Sequence, residues 1–180
     1  IGSIYLFAFL AKINQSVLGF VWHLNTSIPL FPSKLVPLLE EHLHPWLVKL
    51  PFIISDILIG LIIYLAIRKK NLKAAPLLAC LYLFNLPVIY NSAIWGQTDS
   101  LINLLSLSGL LLLLNKRYFW GILIFLSSYL FKVSLIIYLP VFLIILFAYR
   151  RDWSKWLLPS LLFLVFLILI TIPFSGFNNP

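Results

Sequence analysis

Methionine is absent from the 180 residues, cysteine occurs once, and acidic residues number only five. One cysteine, Cys80, rules out an intrachain disulfide and says nothing about redox compartment. Charge is scarcer still relative to apolar content: 10% of the residues are charged and 62% hydrophobic, with a mean hydropathy of +1.06. A soluble domain of this size needs far more charge to coat its surface, so lipid is the solvent for most of this chain. Nucleotide-binding and Cys/His metal motifs are missing, and neither half of the chain repeats the other. A secretory signal is excluded as well, because apolar segments recur along the whole length. The lack of Met, the start at Ile1 inside an apolar run and the stop at Asn178-Asn179-Pro180 lead us to expect an internal piece of a longer protein.

What is present is a succession of long apolar runs. In lipid the backbone must satisfy its own hydrogen bonds, so these runs are helices, and a full crossing needs about 20 residues. The expected fold is all-α: a polytopic transmembrane bundle over 46–174 with about six membrane-embedded helices, within one membrane domain, 1–180. Runs are expected at 46–67, 76–93, 101–114 and 156–174. The stretch 118–149 is too long for one ordinary crossing and is interrupted by Lys132, so two short helices meeting there fit better. Residues 1–24 carry Lys12, Asn14 and Gln15 at mid-run, where a Lys costs roughly 2.5–3.5 kcal/mol at the bilayer centre. An interfacial segment on the outer face is the expectation for 1–24, followed by an outer loop over 25–45 with its four prolines.

Orientation follows from the basic residues. Segments 68–73, 116–117 and 150–155 hold nine of the thirteen Lys and Arg, and each is two crossings from the next. All three then lie on the cytoplasmic side, which accounts for the net charge of +8 without any nucleic acid. The Trp95-Gly96-Gln97 turn, the neighbourhood of Lys132 and the tail at 175–180 are expected to face outside.

Several polar residues stand out against this background. Trp95 is an interfacial aromatic and Thr98 or Asp99 can cap the next helix; alternatively, Gln97 and Asp99 line a polar cavity with Trp95 as its wall, offering the hydrogen bonds that sugar hydroxyls need. Lys132 either snorkels to the headgroups or meets a phosphate charge. Lys49 and Asp56 are two turns apart and share a helix face, and an intramembrane Asp turns inward to a partner or a wet cavity. Asn85 fits a kink before Leu86-Pro87; Asn91 and Asn103 are similar polar positions. Glu40, Glu41, His42 and His44 match no compact metal-ligand spacing, and Asn25-Thr26-Ser27 is a pattern too common to carry weight.

The string Asn91-Ser92-Ala93-Ile94-Trp95-Gly96-Gln97-Thr98-Asp99-Ser100, preceded by Asn85-Leu86-Pro87, resembles the signature of polyprenyl-phosphate-sugar-dependent glycosyltransferases of the GT-C superfamily. The branch it is most similar to is that of bacterial and archaeal mannosyltransferases related to the enzyme adding the second mannose of the GPI anchor. Lys49-Leu50-Pro51 with Asp56 resembles the K-L-P…D helix of that family, and Lys132 with Pro140 its K…P helix pair. The resemblance covers roughly 46–150. It implies an integral-membrane hexosyltransferase at the extracytoplasmic face of a plasma membrane, moving mannose or another hexose from a lipid-linked donor to a glycan, lipid or protein acceptor. It also implies an inverting displacement with no cofactor and no metal site, and donor contacts from Trp95, Gln97, Asp99, Lys132, Lys49 and Asp56. The family's base is an Asp near a Tyr-Pro-Pro element on the first outer loop, expected upstream of Ile1, so no residue here is given that role. The competing expectations are a polytopic transporter, which breaks helices near the midplane and shows paired halves, and a non-catalytic membrane scaffold.

Overall fold

The computed structural model describes residues 1–132, 137–148 and 153–175, and the described residues are helices joined by short turns, with no strand among them. The helices are α1 (Gly2–Ser27), α2 (Leu35–Arg68), α3 (Ala74–Leu83), α4 (Leu86–Ile89), a π-helix (Tyr90–Trp95), α5 (Asp99–Leu114), α6 (Tyr118–Ser128), α7 (Leu139–Ala148) and α8 (Ser154–Ser175). Three stretches, Gly2–Ser27, Leu35–Arg68 and Ser154–Phe174, are long and apolar enough to cross a membrane; the bent pair Ala74–Leu83 plus Leu86–Trp95 makes a fourth if it counts as one span. These are the lengths and compositions of an integral membrane protein. The remaining helices are shorter: at 1.5 Å per residue, α5 with 16 residues reaches about 24 Å and α6 with 11 about 17 Å, against a hydrocarbon core of about 30 Å. Of the about six membrane-embedded helices expected, three, or four with the bent pair, have the length and composition of a full crossing among the described residues. Among the described residues of 118–148, α6 and α7 are two short helices on either side of Lys132.

The chain forms two compact units, Ser3–Ser100 on the one hand and Ile1–Gly2 with Leu101–Pro180 on the other. In the first, α2 buries Phe52, Ser55, Asp56, Ile59 and Gly60, the i, i+3, i+4, i+7, i+8 stripe of a helix with one packed face. That stripe meets α3, whose small buried Ala75 and Ala79 allow close approach. A Cβ at Gly60 would stand 2.8 Å from Leu83 Cγ, so the hairpin is closest where α2 has no side chain. Asn71 Oδ1 accepts the Lys73 and Ala74 backbone N–H groups at 3.1 Å each and starts α3 after the basic turn. Helix α3 ends at Leu83 because Pro87, four residues on, would clash with the Leu83 carbonyl in an unbroken helix. The chain bends by 49° at this break, and Pro87 is tolerated in the first turn of α4.

One sequence expectation for the N-terminal part is corrected by the structure. The loop expected over 25–45 shrinks to 28–34, because Leu35–Pro45 is helical and continuous with the run beyond it. Pro37 lies in the first turn of α2, where its missing N–H costs nothing, and Pro45 and Pro51 are held inside the helix as lipid-embedded helices allow. Residues 1–24 are part of a single helix of crossing length, α1. It lies antiparallel to α2: Trp22 Nε1 donates to Glu40 Oε1 at 2.8 Å near one end, and the Phe7 and Phe52 rings meet edge to face at 6.5 Å near the other.

In the second unit the core is Leu110, Leu113, Tyr118, Ile122, Phe125, Phe142 and Ile145, with Phe125 and Phe142 stacked at 4.3 Å. Helices α5 and α6 touch through glycine. A Cβ at Gly109 would fall 2.7 Å from Phe125 Cβ, and one at Gly121 would fall 2.8 Å from Leu113 Cγ; small residues admit such contact between helices in lipid. Their connection is tight: Lys116 takes a left-handed conformation (φ 60°), while Arg117 N donates to Leu112 O and Lys116 N to Leu113 O, both at 2.9 Å, a Schellman closure. The start of α6 abuts the start of α8, since Tyr118 and Trp156 rings lie 6.4 Å apart and Lys155 Nζ sits 5.8 Å over Tyr118. The basic turn 116–117 and the basic start of α8 are thus neighbours.

Candidate functional site

The segment singled out by sequence is built on an irregular helix end. The π-helix Tyr90–Trp95 stops at Gly96, which adopts a left-handed conformation (φ 72°) that a side chain resists. Asn91 O then accepts both the Gly96 and the Gln97 N–H groups, the latter at 2.8 Å. This closure is one residue wider than the α-helical version, as a π-turn requires. It ends the helix abruptly and lets α5 begin three residues later at Asp99. Trp95 is exposed, its ring edge-on to Tyr90 at 5.7 Å, while Gly96, Gln97, Thr98 and Asp99 are half-buried and Ser100 is buried.

Gly96 is also where this turn meets α2. A Cβ there would stand 3.3 Å from Lys49 Cγ and 3.8 Å from Val48 Cγ1, so the absent side chain makes room for the lysine stem. Lys49 is thereby seated against the Trp95-Gly96-Gln97 turn. Asp56, two turns along the same face of α2, is roughly 10 Å further down the helix and belongs to a different setting. It is 5% exposed; its Oδ1 accepts the Tyr82 hydroxyl at 2.9 Å, and its buried Oδ2 has no hydrogen-bond partner among the described residues. A buried polar atom of this kind is costly, which marks the spot as strained or as awaiting a donor. Tyr82 was not among the sequence candidates; its only trace is a hydroxyl within an apolar run.

Lys132 is exposed in the turn after α6, in the second unit, whereas Lys49, Trp95, Gln97 and Asp99 belong to the first. It borders a pocket of about 240 Å³ lined by Ile1, Tyr129, Leu130, Phe131 and Leu167. The Gly2 N–H donates to Leu130 O at 2.8 Å and closes that turn. Asn103 Oδ1 accepts the Tyr138 hydroxyl at 3.1 Å, a helix-to-helix link. The acidic and imidazole side chains near residue 40 serve packing: Glu40 takes the Trp22 indole, and His42 stacks on Trp46 at 5.6 Å. Among the described residues no three His, Cys, Asp or Glu converge as metal ligands. No family model, curated protein or solved structure matches this chain.

Proposed function

We propose that the chain is the donor-handling part of an integral-membrane hexosyltransferase that takes its sugar, mannose or a related hexose, from a polyprenyl phosphate. The supporting observation is the seat of Gly96 against the Lys49 stem. It joins an ammonium-bearing side chain to a turn carrying an amide and a carboxylate, on a surface otherwise apolar. In this reading Gln97 and Asp99 hydrogen-bond sugar hydroxyls, Trp95 walls the sugar, and Lys49 meets the phosphate. An acceptor oxygen attacks the anomeric carbon, and the bond to the lipid phosphate breaks with its electron pair passing to the phosphate oxygen. A fixed cation lowers the energy of that developing charge. The acceptor proton leaves to a base for which no residue here is named.

The test is transfer of radiolabelled mannose from polyprenyl-phosphate mannose in membranes carrying the protein. Alanine at Gln97, Asp99 or Lys49 is expected to lower the rate about 10²-fold or more with membrane insertion unchanged. Full activity in all three variants ends the site assignment. A transporter is the second reading, favoured by the 49° broken span next to buried, half-satisfied Asp56, since transporters couple broken helices to intramembrane acids. Solute flux in proteoliposomes, abolished by Asp56→Asn and unaffected by Gln97→Ala, would select it.

A further inference from the structure

Where the starts of α6 and α8 meet, the second unit holds a pocket of about 330 Å³, at the lower end of the roughly 300–1,000 Å³ typical of small-ligand sites. Its walls include Ile122 and Leu126 of α6, Phe142 and Leu146 of α7, and Trp156 and Ser160 of α8. Apolar walls between membrane helices suit a hydrocarbon chain. Two features beside it call for more than hydrocarbon. Lys155 precedes the lining Trp156 and holds its ammonium over the Tyr118 ring at 5.8 Å, and Arg117 precedes Tyr118; both cations are exposed and neither lines the pocket itself. Trp156 Nε1, in the wall, is buried with no hydrogen-bond partner among the described residues, and the acceptor it lacks is an oxygen.

We infer that this pocket holds an acyl chain of an anionic glycerophospholipid, its phosphate resting at Arg117 and Lys155 and an ester oxygen within reach of the Trp156 indole. Such a lipid offers what each part of the corner lacks: a phosphate for the exposed cations, an ester oxygen for the indole N–H and a chain for the apolar walls. Basic pockets between membrane helices select anionic headgroups on this principle. A zwitterionic lipid supplies the same chain and esters but cancels the attraction with its own cation. The inference is independent of sugar transfer, which was assigned to other residues.

The experiment is native mass spectrometry of the purified full chain, extracted from mixed micelles of dioleoyl phosphatidylglycerol and dioleoyl phosphatidylcholine. The wild type is expected to retain one phosphatidylglycerol in preference to phosphatidylcholine. Arg117→Gln and Lys155→Gln are each expected to lower that retention about fivefold, whereas Lys155→Arg preserves it. Ser160→Trp, which fills the pocket and leaves both cations, is expected to abolish retention of either lipid. Equal retention of the two lipids by the wild type, or undiminished phosphatidylglycerol binding in R117Q/K155Q, overturns the proposal. Lys73→Gln, at the other basic turn, is the control for loss of charge alone and is expected to leave the bound lipid in place.

Discussion

At the scale of single residues, the two positions that matter most each satisfy a backbone or side-chain demand that lipid makes severe. Gly96 holds a left-handed conformation while leaving space for Lys49. Gly96→Ala is expected to destabilise the protein by about 1–2 kcal/mol, read as a lower unfolding midpoint in detergent, and to lower any sugar transfer along with it by displacing Gln97. Buried Asp56 and half-buried Tyr82 form a pair with one carboxylate oxygen already unsatisfied among the described residues. Tyr82→Phe removes a donor and leaves the carboxylate worse off, an expected loss of about 1–3 kcal/mol. The double variant Asp56→Leu with Tyr82→Phe is expected to lose less than the single one, because removing both polar groups leaves nothing buried and unpaired. Equal or greater loss in the double variant would show that the pair is not the source of the cost.

At the scale of the elements, helix faces that touch through glycine differ from faces turned outward. Gly109 lies within a tight α5–α6 crossing, where a Cβ would meet Phe125 at 2.7 Å; Gly19, in the middle of α1, has nothing within 4 Å of its Cβ position. The same substitution is therefore expected to act in opposite directions. Gly109→Ala overpacks the crossing and should cost about 1–3 kcal/mol, whereas Gly19→Ala gains helix propensity and should stabilise by up to about 1 kcal/mol. Thermal unfolding followed by circular dichroism distinguishes them, and a stabilising Gly109→Ala would contradict the crossing. Helix α8 has one outward face: Leu157, Leu161, Leu164 and Ile168 all lie exposed along it, the pattern of a helix face whose neighbour is lipid.

At the scale of the whole molecule, the charge distribution predicts which turns share a side. The adjacency of Tyr118, Lys155 and Trp156 brings the 116–117 turn and the start of α8 together. In a Cys80→Ser background, Leu72→Cys and Asn115→Cys are expected to resist a membrane-impermeant maleimide added outside cells, and Thr98→Cys to react. Reaction at Leu72→Cys with protection at Thr98→Cys would invert the orientation and remove the extracytoplasmic site.

The amino-acid pattern by itself determined the class: helical, membrane-embedded, with the basic turns marked by residues 68–73 and 116–117 and the packed face of α2 carrying Asp56. It did so because apolar content, helical period and loop charge are local quantities that need no knowledge of neighbours. Helix lengths escaped it. Prolines at 37 and 45 read as part of a loop, yet α2 passes through them, while Pro87 breaks its helix; tertiary packing decides whether a lost hydrogen bond is tolerated. Of the candidate site, Trp95, Gln97 and Asp99 were legible from composition in one short string. That Lys49 sits against Gly96, that Asp56 is bonded to Tyr82, and that α6, α7 and α8 leave a pocket beside two cations were decided only by the fold. Those contacts join residues distant in sequence, and whether they meet depends on where small side chains let helices approach.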